Sequence, residues 1–198
     1  MVESKEPNPK SILWTARGEF DLLGNRQSRR VAATHATTSE IPMLVSLAGQ
    51  AIPALAAAEP AVRRVHARDP ETIWTFRFRG EVAGLFALLY LNHVGLQALI
   101  ETTIDCADPS NDLLCDVGEP VQAIYVWALV APAIVAEGIQ TVSRQLQGPR
   151  YCRANLYSRP VGAAAERINR HYGFRPIGPA APLLRYVRLT NRVLFQAA

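Results

Sequence analysis

Ten consecutive residues, Val121-Gln-Ala-Ile-Tyr-Val-Trp-Ala-Leu-Val130, contain one strongly polar side chain, Gln122. A run so apolar reads as a central strand buried on both faces, so the rest of the chain has to supply two covering layers. Downstream, Val135, Ile139, Val142 and Leu146 recur at helical spacing after Pro132, which predicts a helix over this strand that stops near Gly148-Pro149.

The flanking segments fill out a mixed sheet. Thr72 to Phe78 is rich in β-branched and aromatic residues, and Arg79-Gly80 separates it from the apolar run Glu81 to Leu91, which is a hairpin signal. Thr38 and Ser39 precede an apolar stretch, Ile41 to Leu55, with Pro42 tolerable in a first helical turn, and a second short helix is expected over Ala61 to Arg68. Asp69-Pro70 ends it. A further strand is expected over Tyr151 to Tyr157. Val161, Ala164, Ala165, Ile168 and Tyr172 form another helical stripe ending at Gly173, and Leu183 to Phe195 alternates as a last strand. The expected fold class is α/β (α+β), with a mixed central sheet, an antiparallel hairpin in its N-terminal half and flanking helices.

A chain of 198 residues with 49% hydrophobic and 19% charged residues suits one domain with a buried core. Residues 1–38 lack sustained periodicity and read as a partly ordered arm, leaving 39–198 as the single domain. Val82 to Ile100 is interrupted by Asn92, His93 and Gln97 and reads as strand plus connection, not a membrane span. The polar start, with Pro7 and Pro9, is no signal peptide, so a cytoplasmic location is the expectation. Cys106, Cys115 and Cys152 show no CxxC spacing, and His35, His66, His93 and His171 show no metal-ligand pattern, so neither a disulfide framework nor a metal is assigned.

The net charge of +4 is unevenly spread. Residues 101–119 hold Glu101, Asp105, Asp108, Asp112, Asp116 and Glu119 without a base, whereas residues 144–192 hold ten arginines against Glu166. The basic residues are scattered, almost lack lysine and sit in no nucleic-acid-binding motif, which argues against nucleic acid as a partner. No G-x-S-x-G elbow, Walker A or G-x-G-x-x-G motif is present.

The element order, the stretch Val82-Ala-Gly-Leu-Phe-Ala-Leu88, and above all the ending Ala165-Glu-Arg-Ile-Asn-Arg-His-Tyr-Gly-Phe-Arg-Pro-Ile-Gly178 resemble the GNAT superfamily of acyl-CoA-dependent N-acyltransferases over roughly residues 40–195. The resemblance implies a GNAT-like fold and direct transfer of an acyl group, acetyl foremost, from a CoA thioester to an amine. Acetyl-CoA or another acyl-CoA is then the cosubstrate. The acceptor is a small-molecule or peptide amine, cationic if the acidic stretch attracts it. A homodimer is implied by analogy, with the C-terminal strand as an exposed edge. On that resemblance Trp127, Ala128, Leu129 and Val130 of the strand and Val135, Ala136, Glu137, Gly138, Ile139 and Gln140 of the following turn and helix start would hold CoA, with Asn169 on the last helix.

The family's turn is rich in glycine, and here only Gly138 and Ile139 match it well; Gln140 stands where the family prefers no side chain or a methyl. Asn169 stands where many members carry a proton-donating tyrosine, which leaves Tyr172 as the candidate acid. Glu119 and Glu101 are the candidate bases, although for each a solvated loop acid is the more common role. Tyr125 and Trp127 share a face of the central strand, as cleft lining or as core packing. The alternative to an enzyme is a GNAT-like module that has lost catalysis and serves interaction or regulation.

Overall fold

A computed structural model of the protein describes residues 31–130, 136–178 and 183–187. Its centre is a mixed seven-stranded sheet in the order β1-β2-β3-β4-β5-β7-β6, formed by Val31–His35, Ile73–Phe78, Glu81–Leu91, Ala123–Val130, Asn155–Ser158, Arg175–Pro176 and Leu184–Tyr186 as β1 to β7 in chain order. All neighbours are antiparallel except β4 and β5, which run parallel. The helices are α1 (Ile41–Ala51), α2 (Glu59–Arg68), α3 (His93–Ile100), α4 (Ala136–Gln145) and α5 (Gly162–His171).

The hairpin closes as its sequence demands. Phe78 pairs with Glu81, and the two residues between them, Arg79 and Gly80, both take positive φ, 55° and 86°. That is the primed turn whose twist matches the strands it joins. On one face of the sheet Ile41, Leu44, Val45 and Ala48 of α1, Val65 of α2 and Leu99 of α3 pack on Leu85, Leu89, Leu91, Tyr125 and Trp127. On the other, Val142 of α4 and the following Leu146 pack on Phe76, Phe86, Leu88 and Ile124. Each fully buried leucine or isoleucine contributes about 1.5–3 kcal/mol relative to exposure, and Ile124, Leu88 and Leu89 are all 0% exposed. The central-strand reading of residues 121–130 and the helix over it are therefore as expected.

Several expectations are revised. The end of the segment read as an arm pairs in the sheet as β1, because Val31 to His35 match β2 residue for residue; residues 1–30 lie outside the described residues. The connection after β3 is the helix α3, capped by Asn92, whose side chain accepts from Gly95 N at 2.9 Å. The strand expected at Tyr151 starts only at Asn155, because residues 151–153 turn, with Tyr151 N and Cys152 N both donating to Gly148 O. β7 is not an exposed edge. Over Leu184–Tyr186 it pairs with β5 on one side and β6 on the other; the part of that expected strand from 188 onward lies outside the described residues. Among the described residues no helix is long and apolar enough to cross a membrane, and no group of three His, Cys, Asp or Glu side chains is placed to hold a metal.

Candidate functional site where the central strands part

The parallel pair β4–β5 is short for a reason written in the chain. Pairing runs from Ala123 opposite Asn155 to Val126 opposite Ser158 and stops. Beyond Ser158 come Arg159 and Pro160; proline has no N–H to donate. Val161 follows, and then Gly162, whose φ of 85° turns the chain into α5. β4 continues four residues to Val130, paired there only with β3 among the described residues.

β4 also bends where the pairing ends. Ala87 pairs with Ala128 and Leu88 with Val126, so Trp127 is an extra residue with no counterpart on β3. Such a bulge re-aims side chains and sharpens the strand's bend. Its mark is that Trp127 and Ala128, though consecutive, pack on the same side of the sheet with Tyr125. The result is a bulged strand whose far edge, Trp127 to Val130, presents backbone N–H and C=O groups toward the space where β5 has turned away.

Two segments meet this parting, the end of α3 and the loop that follows it. α3 ends there: Arg159 Nη2 donates to Leu99 O at 3.1 Å. The loop after α3 crosses β4, with Ile104 buried, Trp127 Nε1 donating to Cys106 O at 2.6 Å, and Cys106 Sγ donating to Tyr125 Oη at 3.6 Å. Thr102 carries this turn at φ 61°, uncommon for a β-branched residue. Burial, followed by the Cys106 thiol, pushes the Tyr125 hydroxyl far above its ordinary pKa, and the Arg159 guanidinium opposes this only in part. The phenol therefore stays protonated at any working pH. α4 follows β4 in the chain and packs toward the other end of the sheet, Gly138 against Phe76 of β2; the N–H groups of a helix start favour an anion. A narrow apolar cavity of about 20 Å³ lies beside the bulge, lined by residues including Leu44, Leu85, Ala87, Trp127 and Ala128, enough for about one water-sized group.

The residues expected at a site divide accordingly. Trp127, Ala128, Leu129 and Val130 form the part of β4 beyond its pairing with β5, with no partner on that side among the described residues. Gly138 lies on α4 with an additional packing role, since a Cβ there would sit 2.7 Å from Cδ1 of Phe76; Ile139 is half-buried and Gln140 exposed. Val135, and the side chains of Ala136 and Glu137, lie outside the described residues. Glu101 follows α3 at the parting, its carboxylate accepting from Gln97 Nε2. Glu119 is elsewhere. It precedes the start of β4, whose eight residues span about 25 Å, and its Oε2 accepts from Asp116 N at 2.8 Å while its carbonyl accepts from Arg150. Tyr172 follows the C-terminal end of α5, exposed, with its ring edge-on to His171. Asn169 Nδ2 donates to Ala165 O, back along its own helix.

Arg159 and Cys106 are the site residues that sequence reasoning passed over. The signal available for the first was Pro160, which ends β5 and fixes where the arginine falls; nothing in the sequence marks Cys106. The acidic stretch 101–119 also resolves in part: Asp108 pairs with Arg64 at 2.6 Å and Asp116 with Arg68 at 3.0 Å, so two of its six carboxylates are tied to α2.

No family model matches the chain, and no curated protein matches it. Among the solved structures similar to it are three at a TM-score of 0.45 each. PH1933 from Pyrococcus horikoshii OT3 shares 7% identity, with 79% of this chain and 96% of that one covered. A histone acetyltransferase HPA2 and related acetyltransferase from Corynebacterium glutamicum ATCC 13032 shares 14% identity, covering 80% and 94%. The loading GNATL domain of CurA from Lyngbya majuscula shares 12% identity, covering 76% and 71%.

Proposed function

We propose that the chain is an acyl-CoA-dependent N-acyltransferase working at the parting of β4 and β5. The observation that carries the reading is the bulged edge of β4 from Trp127 to Val130, which has no partner on the β5 side among the described residues. A strand edge without a neighbour is suited to pair with the amide groups of an extended ligand, and the start of α4, the next helix in the chain, suits a pyrophosphate. Together with the resemblance of the 165–178 ending, these features fit an acyl-CoA as cosubstrate, with backbone groups of Trp127 to Val130 on its amides and those of Gly138 to Gln140 near its phosphates.

Acyl-CoA supplies an activated thioester carbonyl. The chain's own part is to place an amine beside that carbonyl, to take the amine's proton and to exclude water. Glu101 is the carboxylate of the two candidates that lies at the parting and takes the proton directly or through water; Glu119, at the other end of β4, takes no part. The protonated Tyr125 hydroxyl is a donor on the same side of the strand. With Asp108 and Asp116 tied to α2, the acceptor is selected locally and not by the field of the whole acidic stretch.

The second reading, a module without catalysis, is favoured by Asn169, which has no ionisable proton and is engaged with Ala165. Thermal unfolding with saturating acetyl-CoA or CoA separates the two. Ligand at about 100 times its Kd adds roughly 2.7 kcal/mol, a shift of a few degrees. The shift should shrink in Gln140→Glu, which adds an exposed negative charge on the first turns of α4, and persist in Gln140→Ala. Absence of any shift at millimolar ligand sinks the acyltransferase reading.

A further inference from the structure

Two arginines face each other across the last ladder of the sheet. β6 and β7 are joined by two registered pairs, Arg175 with Arg185 and Pro176 with Leu184. Proline brings no N–H to a ladder, and like charges directly opposite on antiparallel strands repel. One pair out of two therefore works against the sheet that holds it, which calls for a reason outside the sheet.

The register fixes the face on which the pair stands. Arg185 is also opposite Tyr157 of β5, and Tyr157 is opposite Tyr125 of β4, so these side chains form one row across the sheet. Both tyrosines pack with α1, α2 and α3, and so do Leu183 and Ile177, each two residues from one of the arginines. The tyrosines are buried and the arginines exposed. The row is thus covered at its tyrosine end and open at its arginine end.

Neither guanidinium is neutralised by the protein. Among the described residues neither pairs with a carboxylate, whereas Arg170 close by is held by Glu166 at 2.7 Å. Arg175 Nη1 reaches the carbonyls of Arg170 and Phe174 only at 3.5 and 3.4 Å, and its Nε and Nη2 meet no partner among the described residues. Cβ atoms directly opposite on antiparallel strands lie about 4.5–5.5 Å apart, within the span that two arginine forks can close over one oxyanion. Two unneutralised positive charges match a phosphate monoester, which carries close to two negative charges above its second ionisation; a carboxylate carries one.

We infer that Arg175 and Arg185 form a binding site for a phosphate monoester, carried either by CoA as its 3′-phosphate or by a second small molecule. The site goes beyond acyl transfer, since a phosphate group alone engages it.

Phosphate binding tests the site without turnover. Isothermal titration of the full chain with phenyl phosphate, at about pH 7.5 and low salt so that the ester is dianionic and weakly screened, should give a Kd of about 1 mM or below. Methyl phenyl phosphate, the monoanionic diester, should bind at least about fivefold more weakly. Arg175→Gln and Arg185→Gln should each weaken phenyl phosphate by about tenfold or more, and Arg185→Lys should retain part of the affinity. Arg144→Gln, which removes an exposed arginine of α4 on the other face, should stay within about twofold. Either glutamine variant should unfold no earlier than the unaltered chain in low salt, because a repulsion has been lifted. No binding up to about 10 mM, equal affinity for monoester and diester, binding that survives both glutamine variants, or earlier unfolding of those variants overturns the inference. A preference for CoA over 3′-dephospho-CoA that Arg185→Gln erases assigns the phosphate to CoA; phenyl phosphate binding lost in that variant with CoA unaffected assigns it to the second molecule. Phosphate bound at the pair without any CoA thermal shift sustains this site and sinks acyl transfer alone.

Discussion

The indole Nε1 of Trp127 donates to the carbonyl of Cys106 at 2.6 Å, which ties the bulged residue of β4 to the loop that follows α3. The bulge and the loop therefore hold each other: the extra residue turns the indole toward α3, and the indole fixes the backbone that carries Cys106 onto Tyr125. Trp127→Phe keeps most of the apolar contact and removes the donor. It should cost about 1–3 kcal/mol in urea unfolding, the penalty of an unsatisfied buried carbonyl, and should speed hydrogen exchange in residues 101–107. Unchanged stability would mean that Ile104 alone anchors the loop.

Gly138 and Phe76 are a second contact with a measurable cost. A Cβ on Gly138 would stand 2.7 Å from Cδ1 and 2.8 Å from Cε1 of a ring that is 0% exposed. Gly138→Ala should destabilise by about 1–3 kcal/mol through overpacking, despite alanine's better helix propensity, and Phe76→Leu in the same chain should recover part of the loss. A double-mutant cycle on denaturant midpoints reads the coupling. Loss of ligand binding in a Gly138 variant would thus report on packing before it reports on phosphate recognition.

At the other end of β4, Arg150 Nη2 lies 2.6 Å from Asp69 Oδ2, with the aspartate side chain 3% exposed. Arg150 also donates to the carbonyls of Asp116 and Glu119 and to the Tyr151 hydroxyl, so one side chain joins α2's exit, the acidic loop and the turn before β5. Arg150→Met leaves the buried aspartate unpaired and should cost about 3–5 kcal/mol. A cost under about 1 kcal/mol in chemical denaturation, the range of exposed pairs, would show that water reaches Asp69.

Glu40 gives a pH signature. Burial pushes its carboxyl up, but the backbone N–H and hydroxyl of Thr37, with Arg77, outweigh that and hold it below its ordinary value of 4.5. A folded-state pKa below the unfolded one contributes stability that is present above about pH 4.5 and lost as pH falls through the folded value. Glu40→Gln should therefore destabilise at pH 7, and the difference from the unaltered protein should shrink toward pH 3. A difference independent of pH would assign the effect to the hydrogen bonds alone.

Much of the sheet was legible because its signals are local. Arg79-Gly80 specifies its own turn, Asp69-Pro70 its own helix end, and the run from Val121 to Val130 its own burial. β1 was not legible: five residues of Val-Ala-Ala-Thr-His have no strong pattern, and their strand exists because the edge of β2 is there to pair with. Glu119 and Glu101 were indistinguishable as loop acids in the sequence, and only the direction of β4 separates them, one before its start and the other at the parting.

The sequence by itself determined most of the element types, the buried central strand and, through Pro160 and Gly162, the place where β5 has to leave it, since each follows from hydropathy or from backbone chemistry of one or two residues. Tertiary structure decided which side chains meet there. Trp127 becomes a bulge only against β3, and Arg159, Leu99, Cys106 and Tyr125 converge from three separate stretches of chain. Those contacts depend on register and on the path of a loop, and neither is encoded in the identity of any residue taken alone.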